Sequence, residues 1–525
     1  MKRRILLSCV VASTLSFGAT SSEMKAMQAE LNALKAEVAA MKNAKATAPA
    51  ESSTTSSAIE KLTAKVNAIK EHDANDNIKW GADLRTANDS LNYTMADGTK
   101  RSNDALMTTR LWLNMAYNPD AHNIFKGQLS YNKAFGADFG YPRGMGMDSF
   151  DWIANESLSG SALKVRQAYW LYMGDTIGNA DIPWTVSVGR RPSTGGFLSN
   201  LREDDEAQSP LAHNINVEFD GASASMNLGA VSGIPGLAVK LCLGQGSSNA
   251  SPMFSGTDST TYSDDQNNMK DIRLAGIIIT PYDDGQFTAK LQVFRAWDLP
   301  GYSSTELGAA MGMAEGLGGP IPNTVLGGGY SYDPLTGTTI GYNPAMSQVG
   351  DIDGYALSGI VNGIGDEGIL ANSKFFASVA MSKTNPAKGL DAGGQPINML
   401  GSTESETGTS VWVGAQLPLL GGNFGLEYNH GSKYWRPFTY GEDTMAGSKL
   451  AARGDAYEAY YTYPITKALS LQARYTYIDY DYTGSNSFFG ADGAPMTMAQ
   501  ANAMGMGGMV VDKASDARVY ARYRF

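Results

Sequence analysis

Asp516-Ala517-Arg518-Val519-Tyr520-Ala521-Arg522-Tyr523-Arg524-Phe525 alternates without a break, with Ala517, Val519, Ala521, Tyr523 and Phe525 in one set and Asp516, Arg518, Tyr520, Arg522 and Arg524 in the other. Successive side chains of an extended chain point to opposite faces, so a period of two describes a strand with one apolar and one charged face. A strand of that kind suits a wall between lipid and water, where a closed barrel satisfies its own backbone without any long apolar run.

The same period runs backward through the chain. Leu469, Leu471, Ala473, Tyr475 and Tyr477 alternate with Ser470, Gln472, Arg474 and Thr476. Phe287, Ala289, Leu291 and Val293 alternate with Gln286, Thr288, Lys290 and Gln292, and Thr109, Leu111, Leu113, Met115 and Tyr117 with Thr108, Arg110, Trp112, Asn114 and Asn118. Sixteen such segments are expected, near 78–86, 104–118, 124–135, 161–174, 182–190, 213–228, 237–246, 269–280, 286–297, 351–362, 372–383, 408–418, 423–432, 454–464, 468–482 and 515–525. Their connections alternate between short (Pro119–Asn123, Tyr282–Gly285, Leu419–Gly422, Ile465–Lys467) and long (136–160, 298–350, 483–514), the pattern of periplasmic turns and external loops. A soluble β-sandwich is the alternative, but it does not require long loops on one side only. Trp80, Trp184 and Trp297 fall on apolar faces near strand ends, as girdle residues do, whereas Trp112, Trp170 and Trp412 share parity with the polar face. In the lumen, those three either form a stacking track or pack under an infolded loop.

Ahead of the strands the period is different. Met1 to Ala19 carries Lys2, Arg3 and Arg4, an apolar run from Ile5 to about Leu15 and a small-residue end, the layout of a secretory signal over 1–19. Too few apolar residues precede Cys9 for a lipoprotein cleavage box. Met24, Met27, Leu31, Leu34, Val38 and Met41 then keep heptad spacing, and Ile59, Leu62, Val66 and Ile69 resume it in phase after a Pro/Ser/Thr-rich linker at 48–57. Residues 20–72 are therefore expected to form a periplasmic coiled-coil stalk that assembles a homo-oligomer, a trimer. The alternative is a pair of amphipathic helices lying on the periplasmic face of a barrel over 78–525.

Without the signal the charge moves from −11 to −14, 38 Lys+Arg against 52 Asp+Glu, and nucleic acid is excluded as a partner. Cys242 is then the sole cysteine, so neither an intramolecular disulfide nor Cys-x-x-Cys chemistry is available.

Together these features resemble a family of porin-like outer-membrane proteins of epsilon-class proteobacteria, catalogued as a domain of unknown function. The resemblance spans about Thr20 to Phe525. It rests on the coiled coil, on Glu427-Tyr428-Asn429-His430-Gly431-Ser432-Lys433-Tyr434-Trp435 after a strand, and on the terminal aromatic strand. In architecture the chain is also similar to trimeric diffusion porins with a periplasmic coiled coil. What the resemblance implies is an all-β transmembrane barrel of about sixteen antiparallel strands behind a short α-helical coiled coil, in contact with outer-membrane lipid. Tyr523 and Phe525 resemble the signal read by the barrel-assembly machinery.

Strand parity assigns twelve bases to the lumen: Arg110, Lys126, Lys164, Arg166, Lys240, Arg273, Lys290, Lys374, Arg474, Arg518, Arg522 and Arg524. Six acids oppose them, Glu218, Asp220, Asp271, Glu427, Glu458 and Asp516. That excess points to a passive channel of weak anion preference, unless the charges pair off across the lumen. The third long loop, Arg191 to Ala212, carries Arg202-Glu203-Asp204-Asp205-Glu206, the candidate for an infolded constriction; a solvated tip or a loosely held divalent ion is the other reading. No cofactor or fixed metal site is expected. No His-Glu-x-x-His or Gly-x-Ser-x-Gly occurs, so an enzyme is not expected, and only the His430 region would suit a lipid-facing Ser-His pair. A sheath for a cytochrome conduit and a surface receptor or adhesin stay open beside the channel.

Overall fold

The computed structural model describes residues 78–135, 158, 162–191, 193–246, 270–302, 329–332, 339–343, 346–390, 394–485 and 493–525. The expected signal, stalk and linker lie outside these residues, as does most of 136–160.

Sixteen strands close into one antiparallel barrel in sequence order. They are β1 (Lys79–Met95), β2 (Lys100–Tyr117), β3 (Asn123–Ala134), β4 (Lys164–Ile177), β5 (Ala180–Arg191), β6 (Phe219–Asn227), β7 (Ala238–Gln245) and β8 (Arg273–Asp283). Then follow β9 (Phe287–Tyr302), β10 (Met346–Asn362), β11 (Lys374–Pro386), β12 (Thr407–Leu419), β13 (Gly422–Gly431), β14 (Gly454–Pro464), β15 (Leu469–Tyr480) and β16 (Val511–Arg524). β16 pairs with β1 from Asp83↔Arg524 to Met95↔Val511, so no edge is left open.

Each expected segment corresponds to one of these strands. Most bounds differ by a few residues, and the largest differences are at the end of β1 and the start of β6. β1 and β2 run on to a tight turn at Ala96–Thr99, because Asn88, Ser90, Asn92 and Ser102 are polar on the outward face and hide the period of two. The first of the eight long-rim connections is thus a turn. The segment at 213–228 enters the wall only at Phe219; His213 to Glu218 are buried inside the barrel. Short connections gather at the other rim, where Leu420 (φ 48°) and Gly421 (φ 79°) both take left-handed backbone, the requirement of the two-residue turn that matches strand twist.

Aromatic side chains ring the short-turn rim on the outer face: Trp80, Phe125, Trp170, Trp184, Tyr523 and Phe525. Between the rims the outer face is aliphatic, with Ile277, Leu357, Val379 and Val411 exposed there, the band and girdle of a barrel that sits in a bilayer. Trp170 corrects its assignment. A bulge in β4 at Arg166, where Gln128 pairs with Gln167 but Leu129 with Val165, shifts the phase by one residue and turns Trp170 to the lipid side.

Candidate functional site

The lumen is occupied by two loops. The β5–β6 loop makes a short parallel ladder, Gly196–Phe197 against Gln208–Leu211, and one helical turn, α1 (Asn200–Glu203), ending on Asp204 in left-handed backbone. One side of this loop is apolar. Phe197, Leu198, Leu201 and Leu211 pack on Ile278, Ala356, Ile360, Phe376, Ala380 and Trp412 of β8, β10, β11 and β12, with Trp435 and Leu450 of the β13–β14 loop. A Cβ on Gly414 would overlap the Phe376 ring, and one on Gly425 the Tyr460 ring; glycine lets these aromatics lie flat against the wall. Polar ties fix the loop's height: Leu211 N–H donates to Gln292 Oε1 (2.9 Å), Gln416 to Leu201 O (2.9 Å) and Gln472 to Arg202 O (2.7 Å).

The other side is charged and faces β13 to β16 and β1. Register sets Arg85 opposite both Arg110 and Arg522, and Arg518 opposite both Asp89 and Arg474, a patch of guanidiniums no sheet tolerates unless acids intervene. The acids come from the loops. Glu203 meets Arg474 (3.3 Å) and accepts from Tyr520 (2.8 Å); Asp205 meets Arg522 (3.0 Å) and Arg524 (2.8 Å); Asp204 meets Arg524 (3.5 Å). Arg202 turns inward to Glu458 (3.2 Å) and Glu442 (3.6 Å). From the β13–β14 loop, Asp443 binds Arg85 and Arg518 (3.0 Å), and Lys449 binds Glu427 (2.6 Å) and Glu458. Burial alone would raise the Asp443 carboxyl, but Arg85, Arg518 and Arg474 hold it well below the usual carboxylate range.

The expected lumen residues are therefore largely where parity put them. Arg110, Lys164, Arg166, Lys240, Lys290, Lys374, Arg474, Arg518 and Arg522 lie on the inner face; Lys126 does too, exposed at the short-turn rim. Arg273, Asp220 and Asp271 do not. Arg273 pairs with Trp297 and Gln245 on the outer face, because β8 is apolar on both faces and its inward set is Ile272, Leu274 and Ile278. Asp220 is exposed outside beside Arg190, and Asp271 sits with Gln245 at the long-loop rim. Sequence parity missed Asp83, Arg85 and Asp89 on β1 and the whole charged set of the β13–β14 loop.

Of the candidate constriction residues, Arg202, Glu203, Asp204 and Asp205 are engaged as above, which answers the divalent-ion reading with arginine partners. Glu206 is exposed and makes no ion pair among the described residues. Trp112 stands in the lumen between the guanidiniums of Arg110 (3.5 Å to the ring centroid) and Arg166 (4.3 Å), and Trp412 is fully buried under the infolded loop, donating to Glu427 (3.0 Å).

His213 lies between Ser378 (2.7 Å) and Ser410 (2.9 Å), edge-on to Trp412 and Trp435. Burial pushes its imidazole down to about 3, so it is neutral, one nitrogen donating and the other accepting. Its hydroxyl partners are structural ties, sealed from solvent. On the outer face His430 Nδ1 contacts Asp455 (2.9 Å), which also accepts from Tyr428 (2.7 Å), and no serine touches that pair among the described residues.

Residues 100–525 match the family described as "Protein of unknown function (DUF3373)". The chain belongs to this family. Among curated proteins no sequence matches this DUF3373 barrel. Among solved structures it is similar to the anion-selective porin from Comamonas acidovorans, at 12% identity over 86% of this chain and 99% of that one, with a TM-score of 0.43. It is similar also to the trimer form of OmpT, an outer membrane protein of Vibrio cholerae (12% identity, 86% and 99% covered, TM-score 0.41). OmpF of Salmonella typhi, in complex with daunomycin, matches at 12% identity over 86% and 99%, with a TM-score of 0.41.

Proposed function

We propose that the protein is a passive outer-membrane channel for small hydrophilic solutes or ions, narrowed by its β5–β6 loop, and that it is not an enzyme. One observation carries this reading: an acidic loop tip, Glu203 to Asp205, is held inside the barrel against an arginine wall, the charge arrangement that a constriction needs. The long-loop rim faces outward and the short-turn rim the periplasm. Most of the basic excess is consumed in these pairs, which leaves Lys126, Lys240, Lys290 and Lys374 without ion-pair contact among the described residues; the resulting anion preference is weak.

Reversal potentials across planar bilayers in a salt gradient test the reading. Glu203→Gln, Asp204→Asn, Asp205→Asn and Glu206→Gln together should shift the potential toward anions. The preference should fade as salt rises, since the Debye length drops from about 10 Å at ~0.1 M to about 3 Å at ~1 M. No shift places the tip outside the ion path. Zero conductance from folded protein in repeated reconstitutions sinks the channel and promotes the conduit or receptor reading.

The unbroken heptad phase over Met24–Met41 and Ile59–Ile69 supports a trimer assembled partly by the stalk. Deleting 20–72 should weaken the oligomer and leave a heat-modifiable barrel, and a monomer from the intact chain by native mass measurement refutes the trimer.

A further inference from the structure

We propose that the wall beneath the root of the β5–β6 loop holds a binding site for a small monocarboxylate with a short apolar tail. This inference rests on the channel reading for its biological meaning but not for its chemistry.

Three cations line the inner wall here and lack the acids that the opposite wall enjoys. Lys240 stands close enough to Arg191 and Lys290 to be repelled by both. Lys240 donates to the Ser209 hydroxyl, Lys290 lies over the Phe197 ring (4.5 Å), and Arg191 lies over Tyr169 (5.5 Å); none is in ion-pair contact with a carboxylate among the described residues. Asp283 attracts Lys290 only from a distance. Arg191 is 9% exposed, and its buried Nη1 has no hydrogen-bond partner. Clustered, desolvated positive charges with no counter-charge are unfavourable by themselves, and an anion among them relieves both the repulsion and the orphaned donor.

The space for that anion exists. Arg191 lines a cavity of about 50 Å³, together with Ser209 and Cys242 on the polar side and Ile215, Phe219, Leu274, Ile278 and Phe294 on the apolar side. One water needs about 10–15 Å³ of such space, so the cavity has room for several heavy atoms and admits a small carboxylate. A forked guanidinium meets a carboxylate in two parallel hydrogen bonds, and the aliphatic wall then takes the tail. Lys240 reaches the cavity only through Ser209, so Arg191 is the charge a ligand meets; phosphate or sulfate would leave the apolar wall unfilled, and a cation would meet the guanidinium.

Equilibrium dialysis of radiolabelled butyrate against the full-length protein in a non-ionic detergent tests the site. One saturable site per chain is expected, at millimolar concentration. Butyrate should compete at least tenfold better than acetate, and butylamine should not compete. Arg191→Gln and Lys240→Gln should each weaken binding about tenfold while the barrel stays heat-modifiable; either variant alone suffices should the other fail to fold. Binding that does not saturate in the wild type, or that survives both substitutions, overturns the site, and equal competition by acetate overturns the apolar tail. Conductance of the same preparations separates the two proposals: current without binding sinks only the site, and binding without current sinks only the channel.

Discussion

Asp443→Ala is expected to destabilise the barrel by up to ~3–5 kcal/mol, the cost of breaking a buried ion pair, offset in part because Arg85, Arg110 and Arg518 keep Glu203, Asp83 and Asp89. Asp443 is the shared counter-charge of Arg85 and Arg518, with Arg110 at 3.7 Å, and all three guanidiniums are almost fully buried. Asp443→Asn should cost nearly as much, since it keeps the shape and loses the charge. Asp204 provides the contrast: its carboxylate is 60% exposed beside Arg524, and Asp204→Ala should cost about 0–1 kcal/mol. Heat-modifiability curves read all three. The Asp443 variants should also free the β13–β14 loop for proteolysis, and an unchanged melting profile in both would show that the arginine wall does not depend on this clamp.

The second large effect concerns Phe525. Its main chain closes the barrel, Phe525 N–H donating to Ala82 O and Ala82 N–H to Phe525 O, both at 3.0 Å. Its ring lies on the outer face, 74% exposed, in T-shaped contact with Tyr523 at 5.7 Å. Phe525→Asp keeps the backbone pairing, so the folded barrel loses little. We expect nonetheless that the variant is strongly depleted from the outer membrane in cells, if Tyr523 and Phe525 serve as the assembly signal that they resemble. Refolding in detergent should be close to normal. Normal cellular levels of heat-modifiable protein would remove the assembly role from Tyr523 and Phe525.

The sixteen strands were legible because lipid outside and water inside impose opposite demands on alternate residues. Legibility failed where that contrast failed. Polar residues on both faces hid the first hairpin beyond Thr86, and with it Asp89. Apolar residues on both faces of β8 left Arg273 to be assigned by the one polar side chain in sight. A single bulged residue at Arg166 reversed Trp170. The infolded acidic loop could be anticipated from its charge run between apolar stretches. Entry of the β13–β14 loop left a fainter trace: Trp435, Phe438 and Leu450, with Arg436, Lys449 and Arg453 among them, are more apolar bulk than an exposed loop needs, and every one is buried.

The wall from β8 to β12 is oily on both sides, with Ile277, Leu357, Val379 and Val411 toward lipid and Ile278, Ala356, Phe376 and Trp412 toward the lumen. The apolar inner part of these five strands does not suit the wall of a water-filled cylinder. That surface is tolerable only when the β5–β6 loop already covers it, and that loop precedes all five strands in the chain. The loop is thus expected to act as a former for these strands, and deleting it to widen the pore should lower the yield of closed, heat-modifiable barrel.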